Sequence, residues 1–209
     1  MKNKIPLNDA TMQALPLPVA LITSVSKDGQ HNVATISYNG IACEQGLQII
    51  TSAIRPIRKT FDNIVETGKY CINIPTRDMH PAVLSCGSVS GRRRNKIDML
   101  RSQGYSMSAL DSGVYKINEC PINIECVLLK DEQGLLFGNP FDGILRFDKL
   151  FPEATHALVF GEIVNLYQTD SIENLDLIVT ANYDIKEVGA TIARANFVAE
   201  LEREEREGI

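Results

Sequence analysis

The run Val19-Ala20-Leu21-Ile22-Thr23-Ser24 leads through Ser26-Lys27-Asp28-Gly29 into Asn32-Val33-Ala34-Thr35-Ile36-Ser37. Two short β-rich segments separated by a polar tetrad that ends in Gly read as a β-hairpin. Pro18 stands at the entrance, where a strand tolerates it. Residues 47–52 and 69–74 repeat the pattern and are bounded by Gly or Pro, so they extend the strand set.

Between those two strands, the spacing predicts a helix over 56–67. Ile57, Phe61, Ile64 and Val65 recur at i, i+4, i+7 and i+8; Pro56 suits the first helical position and Gly68 the C-terminal cap. Residues 122–130 and 157–167 read as long strands, and 78–85 and 97–103 as short helices. Residues 131–155 carry Gly134, Gly138, Asn139-Pro140 and Asp142-Gly143, which make them a loop excursion or a small hairpin. A narrow apolar stripe of Ile192, Ala195, Val198 and Leu201 predicts a C-terminal helix over 191–206. Strands cluster early, helices enter singly and no βαβ alternation is sustained. This order favours a mainly β fold, a barrel with peripheral helices, over a doubly wound sheet.

The 209 residues suit one domain, 1–209, with an ordinary core. Lys and Arg number 21 against 26 Asp and Glu, a net charge of −5, so a global nucleic-acid footprint is excluded. Five cysteines without C-x-x-C or metal spacing read as buried thiols in a reducing compartment. His31, His80 and His156 are too dispersed for a local zinc motif. Lys2 and Lys4 precede an apolar stretch, but Pro16 and Pro18 break it. No run approaches 18 apolar residues, so the expectation is a cytoplasmic protein with no membrane partner.

Charge is distributed against expectation. A helix start favours Asp or Glu, yet Arg55, Arg58 and Lys59 crowd this one, and the first acid is Asp62. An anion held there by free N–H groups, guanidinium forks and the Thr60 hydroxyl would resolve the conflict. A second basic cluster, Arg92-Arg93-Arg94-Asn95-Lys96, follows Ser88-Val89-Ser90-Gly91. Neither cluster has G-x-G-x-x-G or Walker A spacing, and no G-x-S-x-G elbow occurs.

The ordered segments resemble the flavin reductase-like family, whose fold is the FMN-binding split β-barrel, and within it the flavoredoxin-type branch. The resemblance rests on 17–23, 32–38, Arg58-Lys59-Thr60 before Asn63-Ile64, 69–75, Cys86-Gly87 through Ser90-Gly91 to Lys96-Ile97, and 156–163. It covers roughly residues 15–165. It implies that Ala34, Thr35, Ile36, Ser37 and Tyr38 lie along a flavin, and that Ser52, Arg58 and Thr60 hold its phosphate. It also implies that Ser90 and Lys96 stand near the flavin and that His156 contacts a nicotinamide. Tyr38 replaces a frequent Trp, Thr155 replaces a frequent acid, and the 131–155 excursion is longer than a direct link between its strands.

The chemistry implied is that of an FMN-binding oxidoreductase fed by NADH or NADPH, with hydride passing to the flavin N5 and no general acid or base required. A flavoredoxin-type carrier exchanging electrons with a redox-protein partner and a non-catalytic flavin-binding protein are the alternatives. The family also implies a homodimer with the cofactor near its interface.

Overall fold

A computed structural model describes residues 17–44, 46–134, 139–169 and 175–178. The predicted hairpin forms as β1 (Ala20–Val25) and β2 (His31–Ile36), paired antiparallel from Ala20↔Ile36 to Val25↔His31. Gly29 turns the chain at φ 80°, where a residue without Cβ is unstrained. The apolar run is continuous because both faces of β1 are buried. Ala20 and Ile22 point into the barrel with Ala34 and Ile36, while Val19 and Leu21 pack outward with Val33.

Next come β3 (Asn39–Cys43), β4 (Ile49–Ile54), α1 (Lys59–Thr67) and β5 (Lys69–Ile74). After them stand α2 (His80–Ser88), α3 (Lys96–Ser102), β6 (Met107–Ala109) and β7 (Tyr115–Ile117). The last elements are β8 (Ile122–Leu128), β9 (Ile144–Leu145), α4 (Phe147–Leu150) and β10 (Ala157–Gln168). The main sheet runs β2-β1-β5-β8-β10-β4-β3, all antiparallel, with β9 beside β10. Its two edge strands, β2 and β3, are consecutive in the chain and separated only by Ser37 and Tyr38. The sheet therefore curls until its edges approach without closing, which is the split barrel that the sequence implies.

Phe61 and Ile64 of α1 join the inner cluster with Tyr70, Ile72, Ile124 and Val159. Val65, expected on the same stripe, is half exposed. The helix starts at Lys59 rather than Pro56. Residues 55–58 form a turn closed by Arg58 N–H to Arg55 O at 3.0 Å, with Pro56 at the position a β-turn favours, and Arg58 is extended at the N-cap. Gly68 caps the other end at φ 69°, as expected.

Helices α2 and α3 cover the outer face of β1 and β2 through Ala82, Val83, Cys86, Ile97 and Leu100. Beyond them, the outer face of β5 and β8 is polar but closed. Asn73, fully buried, donates to Leu21 O at 2.7 Å and accepts from Ile117 N at 2.8 Å and Asn123 Nδ2 at 3.0 Å. Glu125 accepts from Ser112 N, Asn165 Nδ2 and Tyr167 Oη. Burial pushes the Glu125 carboxyl up, but these hydrogen bonds together hold it below its ordinary value.

The 131–155 excursion is pinched at its neck, where Asp131 and Phe141 exchange N–H···O bonds of 2.8 and 2.9 Å. It then supplies β9 and α4. The predicted 191–206 helix lies outside the described residues. All five cysteines are free thiols, and four are buried. Burial pushes Cys86 up to about 11 and Cys71 up to about 12, so both are neutral packing groups. Among the described residues no cluster of His, Cys, Asp and Glu could hold a metal, and no helix is long and apolar enough to cross a membrane.

Candidate functional site

Strand register gathers the site. Ala157 pairs with Ile54, which sets His156, just before β10, against Arg55, just after β4. Asn39 pairs with Ser52, and Ala53 N–H donates to Tyr38 O at 2.9 Å, which fixes the β2–β3 crossing on the same end of the barrel. The Tyr38 and His156 rings meet edge to face, with centroids 6.1 Å apart. Burial and then the charges of Arg55 and Arg58 hold the His156 imidazole below its ordinary pKa, so it is neutral at neutral pH. Thr155 Oγ1 lies 2.9 Å from its Nδ1. Ser37, Tyr38, Arg55, Arg58 and His156 are all partly exposed, so they form an open shelf at the split.

Arg55 and Arg58 bring positive charge to the shelf, and the acid that follows them most closely in the chain is engaged elsewhere. Asp62, in the first turn of α1, pairs with Arg92 at 2.6 Å, and Arg92 Nε also reaches Ile57 O at 3.4 Å. The two basic clusters read separately in the sequence thus meet at the α1 start. A bound anion would relieve the crowding of Arg55 and Arg58 and would draw the His156 pKa back upward.

Several expected contacts lie deeper than the shelf. Ser52 is fully buried, and its hydroxyl donates to Asn39 Oδ1 at 2.7 Å; Asn39 in turn donates to Ile36 O at 2.9 Å, latching the crossing. Thr60 is also fully buried, and its hydroxyl accepts from Asn32 Nδ2 at 2.7 Å, which leaves its own proton as the donor it can offer. Ala34 and Ile36 point into the core, and the Thr35 hydroxyl donates to Val83 O at 2.6 Å. For residues 34–36 it is the backbone of edge strand β2, not the side chains, that borders the split. Ser90 and Lys96 are buried in the α2–α3 connection: Lys96 Nζ donates to Cys86 O at 2.7 Å, and Ser90 Oγ accepts from Arg92 N at 3.2 Å.

The excursion adds residues that no sequence signal marked. Phe147 and Phe151, with Glu153, Ala154, Thr155 and His156, line an open cleft of about 480 Å³. Arg146, chelated by Asp148 at 2.8 and 2.6 Å, lies over the Phe61 ring at 5.3 Å and anchors α4 to the barrel. Apolar rings, Glu153 and a neutral imidazole therefore border the cleft, and Arg55 and Arg58 act on that imidazole from the shelf. The apolar rings can stack a planar ring, and the guanidinium groups can neutralise an anion.

A family model, the flavin reductase like domain, matches residues 12–189. The chain belongs to the flavin reductase-like family. Among solved structures, flavoredoxin from Methanosarcina acetivorans is similar at 21% identity and TM-score 0.64, covering 84% of this chain and 85% of that one. An FMN-binding protein from Thermus thermophilus, with bound 1-cyclohex-2-enone, matches at 16% identity and TM-score 0.59 over 80% and 79% of the two chains. Both likenesses are in the fold. An uncharacterised protein of Archaeoglobus fulgidus is 25% identical over 130 residues, which are 61% of this chain and 60% of that protein's own length. As a flavin reductase-like protein, the chain carries its His156 shelf at the seam of the family's split barrel.

Proposed function

We propose that this protein is an FMN-binding oxidoreductase reduced by NADH or NADPH. The observation that carries the reading is the convergence of Arg55, Arg58, Tyr38 and His156 at the opening between β2 and β3. FMN, when bound, supplies the redox chemistry by accepting hydride at its N5. Arg58, with Arg55 and Lys59 beside it, holds the phosphate at the α1 start, where backbone N–H groups also point outward. Thr60 and Ser52 support that corner from beneath. The backbone of Ala34, Thr35 and Ile36, with Ser37 and Tyr38, lines the ring's polar edge; Ser90 and Lys96 set the α2–α3 connection behind it. His156, neutral and uncharged toward a donor, borders the face that a nicotinamide approaches. Phe147 and Phe151 give that face its apolar part, beside Glu153.

Because hydride transfer needs no protein acid or base, positioning is the whole task of these side chains. In this reading the chain acts as one domain in the cytoplasm and as a homodimer. The exposed Leu150, Phe151, Val164 and Leu166 support the dimer; a monomer by light scattering at micromolar concentration would contradict it.

An anaerobic visible spectrum before and after NADH or NADPH tests the activity. The expected result is a bound-flavin spectrum that bleaches on adding the donor. A protein that binds no FMN sinks the reading. Bound flavin that bleaches only with a reduced redox protein makes it a flavoredoxin-type carrier, the alternative that the Methanosarcina likeness favours. Binding without any bleaching makes it a flavin-binding protein only.

A further inference from the structure

The cleft beside His156 suits the opposite charge from the shelf it adjoins. Its walls are Phe147, Phe151, Glu153, Ala154, Thr155 and His156, so among the described residues Glu153 is the only side chain bearing a formal charge that lines it. The neighbouring acid, Asp148, is chelated by Arg146 at 2.8 and 2.6 Å. Among the described residues, no ion pair or hydrogen bond engages the Glu153 carboxylate.

Local structure sets Glu153 in place. Phe151-Pro152-Glu153-Ala154 is a turn closed by Ala154 N–H to Phe151 O at 3.0 Å, with Pro152 at the position that such a turn favours. Phe151 N–H in turn donates to Phe147 O at 2.9 Å at the end of α4. Arg146 over the Phe61 ring ties α4 to the barrel, and Leu158↔Leu145 and Val159↔Ile144 tie β9 to β10. The two rings and the carboxylate are therefore fixed relative to His156.

Two aromatic rings, one carboxylate and no cation make a lining that favours positive charge. A ring face attracts a cation through its quadrupole, and a carboxylate does so directly. His156 adds no charge against it, because burial and the two arginines keep its imidazole neutral. Arg55 and Arg58 repel a cation, but an anion held by them cancels that repulsion.

We propose that Glu153, with Phe147 and Phe151, binds the cationic pyridinium ring that hydride transfer leaves behind, and so speeds the transfer. The proposal rests on the reading above, in which NADH or NADPH reduces the flavin at the face that His156 borders. In that step the C4–H bond of the dihydronicotinamide breaks and its hydrogen passes, with both electrons, to the flavin N5. The donor ring goes from neutral to singly positive. A contact that grows with this charge stabilises the transition state more than the bound donor, so it raises the rate without tightening donor binding. Glu153 acts as a fixed charge and takes up no proton.

The full-length FMN-loaded protein and its E153Q and E153D variants decide it. NMR titration compares 1-methylnicotinamide, a pyridinium, with nicotinamide, its neutral parent, and transient kinetics follow flavin bleaching at saturating NADH or NADPH. Expected is 1-methylnicotinamide binding about tenfold tighter than nicotinamide, with shifted His156 ring protons, a preference cut about fourfold in E153Q and kept in E153D. The bleaching rate should fall about fourfold in E153Q while the donor Kd changes less than about twofold. Equal binding of the two ring compounds by the parent protein, or a loss in E153Q that affects both alike, overturns the proposal. So does tetramethylammonium binding as tightly as 1-methylnicotinamide, which would give the cleft to any cation, or a bleaching rate unchanged in E153Q. If neither donor bleaches the flavin, the reaction above fails, and the ring-cation titration alone decides whether the cleft takes a pyridinium.

Discussion

Asn73 on β5 and His156 at the head of β10 each centre a polar cluster on the same curled sheet. Around Asn73, donors and acceptors cancel: its amide serves Leu21, Ile117 and Asn123, and the neighbouring Glu125 accepts three hydrogen bonds. Around His156, like meets like, with Arg55 and Arg58 depressing a neutral imidazole and Asp62 turned away to Arg92. A buried cluster that satisfies itself fixes a fold, since each orphaned group would cost about 1–3 kcal/mol. A half-exposed cluster of like charges is stabilised by an anion that binds it. The difference separates polarity that completes the fold from polarity that the fold leaves exposed, without reference to any motif.

The sharpest way to break this contrast is Asn73→Leu. It strands Ile117 N, removes the Nδ2 donor to Leu21 O and takes one of two acceptors from Asn123 Nδ2, which keeps Ile117 O; the expected loss is about 3 kcal/mol of unfolding free energy in urea titration. FMN affinity of the folded fraction should stay within about twofold; a large drop would mean that the two clusters are coupled. Arg58→Ala should do the reverse. It removes the proposed charge-assisted contact to the phosphate, worth about 2 kcal/mol, so FMN Kd by fluorescence quenching should rise roughly 30-fold while the melting midpoint of the apoprotein holds or rises.

A smaller effect follows from pH. His31 and His156 both have folded pKa values below 6.5, His31 through burial and Arg101, His156 through burial and the two arginines. As pH falls below about 6.5 the unfolded chain takes up protons that the native state refuses, so stability declines. It levels off only beneath the folded values. Adding FMN should raise the His156 pKa, read from its ring proton NMR shift, and leave that of the Asn73-side Tyr167 unmoved; an unchanged His156 would place the anion elsewhere. The smallest change is expected from Thr155→Val, about 0.5 kcal/mol in stability with an altered His156 tautomer ratio in nitrogen NMR.

The barrel was legible where burial is two-sided. Residues 19–37 read as a hairpin because an inner core and an outer helical layer both demand apolar side chains there. Strand β3 was not legible: it is an edge, Asn39-Gly40 resembles a turn, and Ile41 is exposed. The β6–β7 hairpin has three-residue strands, and β7 is held in part by the distant side chain of Asn73, which no local pattern can announce. Pro56 misled the helix start because the same residue type favours a turn's second position and a helix's first.

At the candidate site, the charge crowding at 55–59 was legible from helix electrostatics alone. Tyr38 and His156 came only through the ordered resemblance, since strand register brings them together across more than a hundred residues. The burial of Ser52, Thr60 and Lys96 depends on partners such as Asn39, Asn32 and Cys86 O that packing selects. Phe147 and Phe151 carried no signal, because an aromatic in a loop excursion is as often core as wall.

The pinch between Asp131 and Phe141 gives the 131–141 segment the character of a cassette. Its neck closes before the chain reaches β9, so residues can be gained or lost between those two points without shifting the β8–β10 register that positions His156. That loop can then lengthen or shorten while β9, α4 and the His156 shelf keep their places, letting one scaffold be retuned piece by piece over evolutionary time.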